Sequence, residues 1–348
     1  MAHPVKKSIT LASRDSLLAL AQTIDAAMRL EKVGFQVRIE ALKTAGDIKL
    51  DGPLYHVADS ATKEGRAFFT RELDEALITN RTDAAVHSFK DLPTEKIPEI
   101  SDAILFSETT SADILLSLSP INLKNDGEKL VIGTSSLRRI HQLGFTFPKA
   151  KTATLRGNIV TRLKRLVEKN NGINTILIAE AGFERMKKFS SIEPKLYTHF
   201  LEEHTRKHLE DELSHFKKYT AVGLHTYQIN EKKFPTAPGQ GVLAFQFSKK
   251  AEQKLSLHIA EIFPEHAKIA SRTFVERQVM TLLETGCHAP IGVSAFYSSQ
   301  PNFHVSLCFS RKTETNPVYF AESIFLERIV HDATNIVSEI KEGFDKIF

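Results

Sequence analysis

Two short segments place arginines where an extended run gives way to a helix. In KLVIGTSSLRR the run ends at Gly133, then Thr134, Ser135 and Ser136 intervene, and Arg138 and Arg139 open the helical pattern. In KTATLRGNIVTRL, Arg156, Gly157 and Asn158 intervene before a helix carrying Arg162. The first turn of a helix presents unbonded N–H groups and the positive end of its dipole, so it attracts anions. Serine and threonine hydroxyls add donors, and guanidinium forks bind carboxylate or phosphate through paired hydrogen bonds. Either turn alone reads more simply as a capped helix with a solvated arginine. Both together, with Arg14 after a third extended run (SITLASRDS), would make one anion cleft at neighbouring strand ends. Arginine predominates over lysine at these turns and no long helical face is basic. That points to a compact polyanionic small molecule rather than a nucleic-acid backbone.

Three further segments carry candidate chemistry. DAAVHSFKDLP sets His87, Lys90 and Asp91 just past a strand end. A carboxylate near arginines stays ionised and would pair with a substrate cation or move a proton; the plain alternative is a turn aspartate and a surface lysine. In SRTFVERQVMTLLETGCHAPIG a helix runs to about Glu284, Gly286 caps it, and Cys287 falls on the loop before Pro290. A loop cysteine is exposed more often than a strand one, which suits a reactive thiol; an inert small residue is the more common reading of a single cysteine. Cys308 lies inside an alternating strand and fits the inert reading. FPTAPGQGVLAF is a Pro- and Gly-rich turn entering a strand, the composition of a hinge.

These residues need elements to hold them. Ser16 caps a helix whose apolar residues Leu17, Leu20, Ile24 and Met28 recur at helical spacing, with Gly34 just past its end. FQVRIEAL alternates strictly and predicts a half-buried strand. Short apolar runs at Ala84 to Val86, Leu130 to Ile132, Ile176 to Ala179 and Val242 to Phe245 predict buried strands separated by helices, an α/β architecture. FHVSLCF alternates again, with Phe303, Val305, Leu307 and Phe309 on one side. A strand Val318 to Ala321 and a terminal helix bearing Ile336, Val337, Ile340, Phe344 and Ile347 complete a small α+β domain beginning near Ser248. The charged stretch 187–233 places His204, His208, Glu212 and His215 on one helical face. Thr205 follows His204, so the spacing is not H-E-x-x-H, and a solvated face rather than a metal site is expected.

Composition bounds the rest. The 348 residues hold 46 Lys plus Arg and 42 Asp plus Glu, a balance of +4 that does not mark a nucleic-acid binder. Two cysteines make neither a disulfide framework nor a four-thiolate zinc site. MAHPVKKSITLASRDS has no apolar run after its lysines, and no stretch reaches the ~18–20 apolar residues of a membrane span. A soluble cytoplasmic protein is expected.

The ordered segments LASRDSLLAL, Thr44 to Asp47, HSFKDLP, GTSSLRR, LRGNIVTRL, AGFER, PTAPGQGVLAF and ER…LETGCHAPIG, running from Arg14 to Gly292, resemble the porphobilinogen deaminase (hydroxymethylbilane synthase) family. The resemblance implies two α/β lobes like those of periplasmic binding proteins, with the active site between them, and a small C-terminal α+β domain. The implied division is 1–106 with 234–247, then 107–233 with the charged stretch as an insertion longer than the family norm, then 248–348. It implies a monomer without nucleic-acid or membrane partners, and with no metal. The family carries a dipyrromethane primer on a cysteine through a thioether. It adds four porphobilinogen units to the primer with loss of ammonia and releases a linear tetrapyrrole.

By that resemblance Cys287 is the attachment point. Asp91 is the catalytic carboxylate, interacting with pyrrole nitrogens, assisting loss of the amino group and stabilising the cationic azafulvene, with Lys90 beside it. Arg138 and Arg139, with Ser135 and Ser136, hold cofactor carboxylates. Arg14, Ser16, Arg156, Arg162 and Arg185 receive substrate or chain carboxylates. Three segments depart from the family pattern. Arg66 and Ala67 replace lysine and glycine in G-K-G-L-F, Ala112 replaces the arginine of P-R-D-A, and Thr285 replaces the first glycine of G-G-C. Two other readings remain at this point: a two-lobed anion-binding module without catalysis, and an oligonucleotide binder with steeply salt-dependent affinity.

Overall fold

The structure is a computed structural model describing residues 7–44, 70–122, 127–255, 262–282, 291–299, 302–310 and 323–330. Asp47, Arg66, Ala67, Cys287, the expected strand Val318 to Ala321 and the expected terminal helix lie outside the described residues.

The alternating sequence FQVRIEAL forms a strand with alternating burial over its first half, as its period-two pattern requires. This strand, β2 (Phe35–Leu42), runs parallel to β1 (Lys7–Arg14), and β1 runs parallel to β3 (Ala84–Ser88). Helix α1 (Leu17–Lys32) makes the β1–β2 crossover; Ser16 caps it, its Oγ accepting from Ala19 N at 3.4 Å. Helix α2 (Arg71–Ile78) precedes β3. Strand β10 (Val242–Phe247) returns late in the chain and inserts antiparallel between β3 and β4 (Ile104–Glu108), giving a five-stranded sheet in the order β2-β1-β3-β10-β4.

A second five-stranded sheet has the order β7-β6-β8-β5-β9. It comprises β5 (Asp113–Ser117), β6 (Val131–Gly133), β7 (Lys151–Ala153), β8 (Thr175–Ala179) and β9 (His225–Gln228). Its helices are α3 (Leu137–Thr146), α4 (Ile159–Val167), α5 (Glu180–Phe189) and α6 (Glu203–Thr220). The chain passes between the sheets twice, from β4 to β5 and from β9 to β10. At the crossing Thr109 N donates to Gly241 O at 3.1 Å and Gln240 Nε2 donates to Ser111 O at 2.6 Å. FPTAPGQGVLAF is thus the return crossing. Away from it, α1 packs on α5 and α6. Gly182 permits that approach, since a Cβ there would meet Leu18 and Ile159 side chains at 3.1–3.2 Å.

The third sheet is antiparallel and has three strands, β11 (Ile291–Ser299), β12 (Asn302–Ser310) and β13 (Ser323–Val330). The sequence reading anticipated only β12 of these. Strand β11, IGVSAFYSS, mixes small and polar residues with its apolar ones, which leaves only a weak alternation in the sequence. On β12 both faces are buried at the centre: Val305 and Leu307 on one side, Ser306 and Cys308 on the other. The Cys308 side packs toward α3 of the second lobe rather than facing solvent. Helix α7 (Lys249–Leu255) follows β10, and α8 (His266–Leu282) lies against β11 and β4. Among the described residues no helix is long and apolar enough to cross a membrane. Two α/β lobes and a smaller third sheet reproduce the α/β architecture read from the sequence.

Candidate active site

Parallel strands present their carboxyl ends, and the helix N-termini that follow, along one edge of each sheet, where anionic ligands bind in open α/β folds. Here the two edges face each other across a cleft of about 550 Å³, within the range of small-molecule sites. From the first lobe it is lined by Arg14 at the end of β1, Ser16 at the start of α1, and His87, Lys90 and Asp91 at the end of β3. From the second lobe come Arg139, the turn Arg156–Asn158, Arg162 and Arg185. Sequence-distant arginines therefore converge. Arg138, Ser135 and Ser136 do not line this cleft, and Cys287 lies outside the described residues.

Arg138 and Arg139 converge on one carboxylate. Arg138 Nη2 donates to Asp113 Oδ2 at 2.7 Å and Arg139 Nη2 to Asp113 Oδ1 at 2.7 Å. Arg138 Nη1 also reaches Pro235 O at 2.9 Å on the return crossing. Burial pushes the Asp113 carboxyl upward, but both guanidiniums outweigh it and hold the group well below the usual carboxylate range. Burial also lowers the Arg138 guanidinium against the pull of Asp113. Ser135 is buried, and its Oγ has no hydrogen-bond partner among the described residues.

The second turn is built differently. Asn158 caps α4, its Oδ1 accepting from Thr161 N at 2.8 Å. Gly157 takes φ +103°, and a Cβ there would meet the Thr161 side chain at 2.7 Å, so the turn needs glycine. Arg162 Nε closes the loop onto Gly157 O at 2.8 Å. Burial, followed by the like charges of Arg139, Arg156 and Arg165, lowers Arg162 to about 10. No carboxylate among the described residues forms an ion pair with it. Arg185, also lowered to about 10 by burial, donates to Gly241 O at 2.6 Å.

Lys90 and Asp91 sit in a 3-10 turn directly after β3. Burial lowers Lys90 to about 8; Asp91 pulls upward against it. Its Nζ donates to Gln240 Oε1 at 3.2 Å, while Gln240 Nε2 holds Asp113 Oδ1 at 2.9 Å. Gln240, 1% exposed, thus links the lysine, the Arg–Asp cluster and the lobe crossing. Sequence reasoning passed over it. Its only signal was a glutamine between two glycines in the hinge-like turn. Burial and then Arg14 lower His87 to about 3, so its imidazole stays neutral, and its Nε2 has no partner among the described residues.

The charged helix also differs from expectation. His204 is exposed, as a solvated face requires, but His208 and Glu212 line the cleft. Among the described residues no group of three or more His, Cys, Asp or Glu is placed to hold a metal.

A sequence model described as "Porphobilinogen deaminase, dipyromethane cofactor binding domain" matches residues 9–256. The chain belongs to the porphobilinogen deaminase family. Porphobilinogen deaminase of Campylobacter curvus is 30% identical over 296 residues, 84% of this chain and 81% of that one. That of Nitratiruptor sp. is 33% identical over 289 residues, 82% and 78%. The solved structures it matches include an arginine-specific periplasmic binding protein of Salmonella typhimurium, at a TM-score of 0.37 and 10% identity over 76% of this chain and 97% of that one. The topology above, not that likeness, defines the fold. Family membership makes the chain an enzyme, a transferase of tetrapyrrole biosynthesis. The matched domain is the one that binds the dipyrromethane cofactor. The donor set of the cleft fits such a group: the guanidiniums of Arg14, Arg139, Arg156, Arg162 and Arg185 and the Lys90 ammonium suit a ligand rich in carboxylates.

Proposed function

We propose that the chain is a hydroxymethylbilane synthase, joining four porphobilinogen molecules head to tail on a dipyrromethane primer held by Cys287 through a thioether. The observation that carries this is the Lys90–Asp91 turn opening into a cleft whose other walls hold Arg14, Arg139, Arg156, Arg162 and Arg185. Each porphobilinogen brings two carboxylates and an aminomethyl cation. Arginines answer the first need and a single carboxylate the second.

By the family resemblance Ser135, Ser136, Arg138 and Arg139 would hold the primer, which when bound supplies the pyrrole α-carbon nucleophile; of the four, Arg139 reaches the cleft wall, while Arg138 is tied to Asp113 and Pro235. Arg14, Ser16, Arg156, Arg162 and Arg185 bind and orient the carboxylates of the incoming substrate and the growing chain. Asp91 faces the substrate methylene as its C–N bond breaks. The bonding pair leaves with the nitrogen of the protonated aminomethyl group as neutral ammonia, and the positive charge passes from that nitrogen to the methylene and ring. A fixed carboxylate stabilises that charge more than it does in water, because little solvent has to reorganise. A bound primer would supply the carbon that takes up this cation, and Asp91, the carboxylate of this turn, would accept the proton that the new bond releases. Lys90, held by Gln240, keeps carboxylate groups close to the reacting ring. The reading includes a cytoplasmic monomer with the three-domain division stated above.

Asp91→Ala tests the role. Losing an electrostatic stabiliser or acid–base group costs ~100- to 1000-fold in rate. Porphobilinogen consumption should fall by that factor with the melting temperature unchanged. Near-wild-type turnover removes Asp91 from the chemistry.

A further inference from the structure

The charged segment 187–233 leans on both lobes. On the first lobe, Leu201 forms a parallel bridge with Ile39, His199 Nε2 meets Glu31 Oε1 at 3.0 Å, and Arg38 reaches Glu202 at 2.9 Å. On the second, Leu209, Leu213 and Phe216 of α6 are buried, and the Phe216 ring meets Phe183 edge-on at 6.0 Å between centroids. α6 packs on α1 and α4 together. Its position is therefore set by both walls of the cleft.

From this helix Glu212 reaches the arginine turn. Glu212 Oε2 accepts from Asn158 Nδ2 at 3.1 Å, while Asn158 Oδ1 accepts from Thr161 N at 2.8 Å. A side-chain amide has one acceptor end and one donor end. With the carboxylate on one side and a backbone N–H on the other, a single amide orientation satisfies both; a flip would set donor against donor. Asn158 adjoins Gly157, whose carbonyl receives Arg162, and Gly157 adjoins Arg156. Fixing Asn158 fixes the loop on which both arginines hang.

We propose that Glu212 is a positioning residue for carboxylate binding: through Asn158 it locks the Arg156–Arg162 turn in the conformation that receives the substrate's acidic side chains. This rests on the functional reading above. It assigns to helix α6 a part in the site.

The test uses the full-length holoenzyme with porphobilinogen as substrate and, separately, citrate as a non-reacting polycarboxylate titrated by calorimetry. Glu212→Ala should raise KM about three- to tenfold with kcat within twofold, and weaken citrate by a similar factor. Glu212→Gln keeps an acceptor oxygen for Asn158 and should restore both to within twofold of wild type. Lys207→Ala, which removes only an exposed pair with Glu203 on the same helix, should change neither. Glu212 is half-buried at the cleft rim, so its truncation should leave the melting temperature within a few degrees. Unchanged KM and citrate affinity in Glu212→Ala would overturn the assignment, as would a Gln variant that behaves like Ala. If citrate follows the predicted order while wild type consumes no porphobilinogen, the functional reading fails and the positioning role stands.

Discussion

The two arginine turns of the second lobe look alike as sequence and differ as physics. Each is an extended run, a few small polar residues, then arginine at the head of a helix. In the first turn Arg138 and Arg139 share the Asp113 carboxylate, and Gln240 braces that carboxylate from the lobe crossing. In the second, Arg162 donates to the Gly157 carbonyl, has no carboxylate partner among the described residues, and is lowered to about 10 by burial first and then by three neighbouring arginines. A turn whose two arginines share a buried carboxylate holds the fold together. A turn with excess like charge is costly until an anion arrives, and that cost is returned on binding. Arg139 belongs to both settings: it is bound to Asp113 and also lines the cleft. The cleft thus has a fixed wall at α3 and a ligand-dependent wall at α4.

The contrast breaks most visibly at Asp113. Asp113→Ala leaves two buried guanidiniums uncompensated, which costs ~3–5 kcal/mol. Thermal unfolding should show a fall of several degrees, larger than for any single change at the α4 turn. If Asp113→Ala melts like wild type, the first turn is not a structural keystone.

Arg162→Ala should do the opposite. Removing a crowded like charge leaves stability unchanged, whereas the lost charge-assisted hydrogen bond to a substrate carboxylate is worth ~1.5–3 kcal/mol. KM for porphobilinogen should rise about ten- to a hundredfold by the same arithmetic. A drop in melting temperature without a change in KM would assign both turns the same structural role.

The smallest effect concerns pH. Lys90 is lowered from 10.5 to about 8, so the unfolded chain binds more protons than the native one between those values, and stability contributed by this group rises with pH across that window. Its affinity for carboxylate moves the other way, because the ammonium is present below about pH 8 and lost above it. KM should rise a few-fold from pH 7 to 9, and Lys90→Arg should flatten the rise. A wild-type profile as flat as that of the arginine variant contradicts the assignment.

Much of the scaffold was legible because its signals are local. Ser16 with the apolar stripe of α1, the alternation of FQVRIEAL, and the glycine turn before α4 each follow from a few adjacent residues. The convergence of Arg14, Lys90, Asp91, Arg139, Arg156, Arg162 and Arg185 followed from their places at strand ends together with the family resemblance. What was not legible is partnership across the chain. Asp113 lies 25 residues from Arg138, inside a segment noted only for its missing arginine. Gln240 lies 150 residues from Lys90. Glu212 was grouped with histidines on a helical face taken to be solvated, and periodicity cannot say that the face borders a cleft. Ala112 is buried, and its carbonyl accepts from Glu180 N at 3.0 Å.

The most direct measurement is the intact mass of the purified protein under denaturing conditions, after incubation with porphobilinogen, beside Cys287→Ser. The account predicts a mass excess of two linked pyrrole units on the wild-type chain and the bare polypeptide mass for the variant. A wild-type chain that stays at its bare mass, or a serine variant that carries the same adduct, would contradict it.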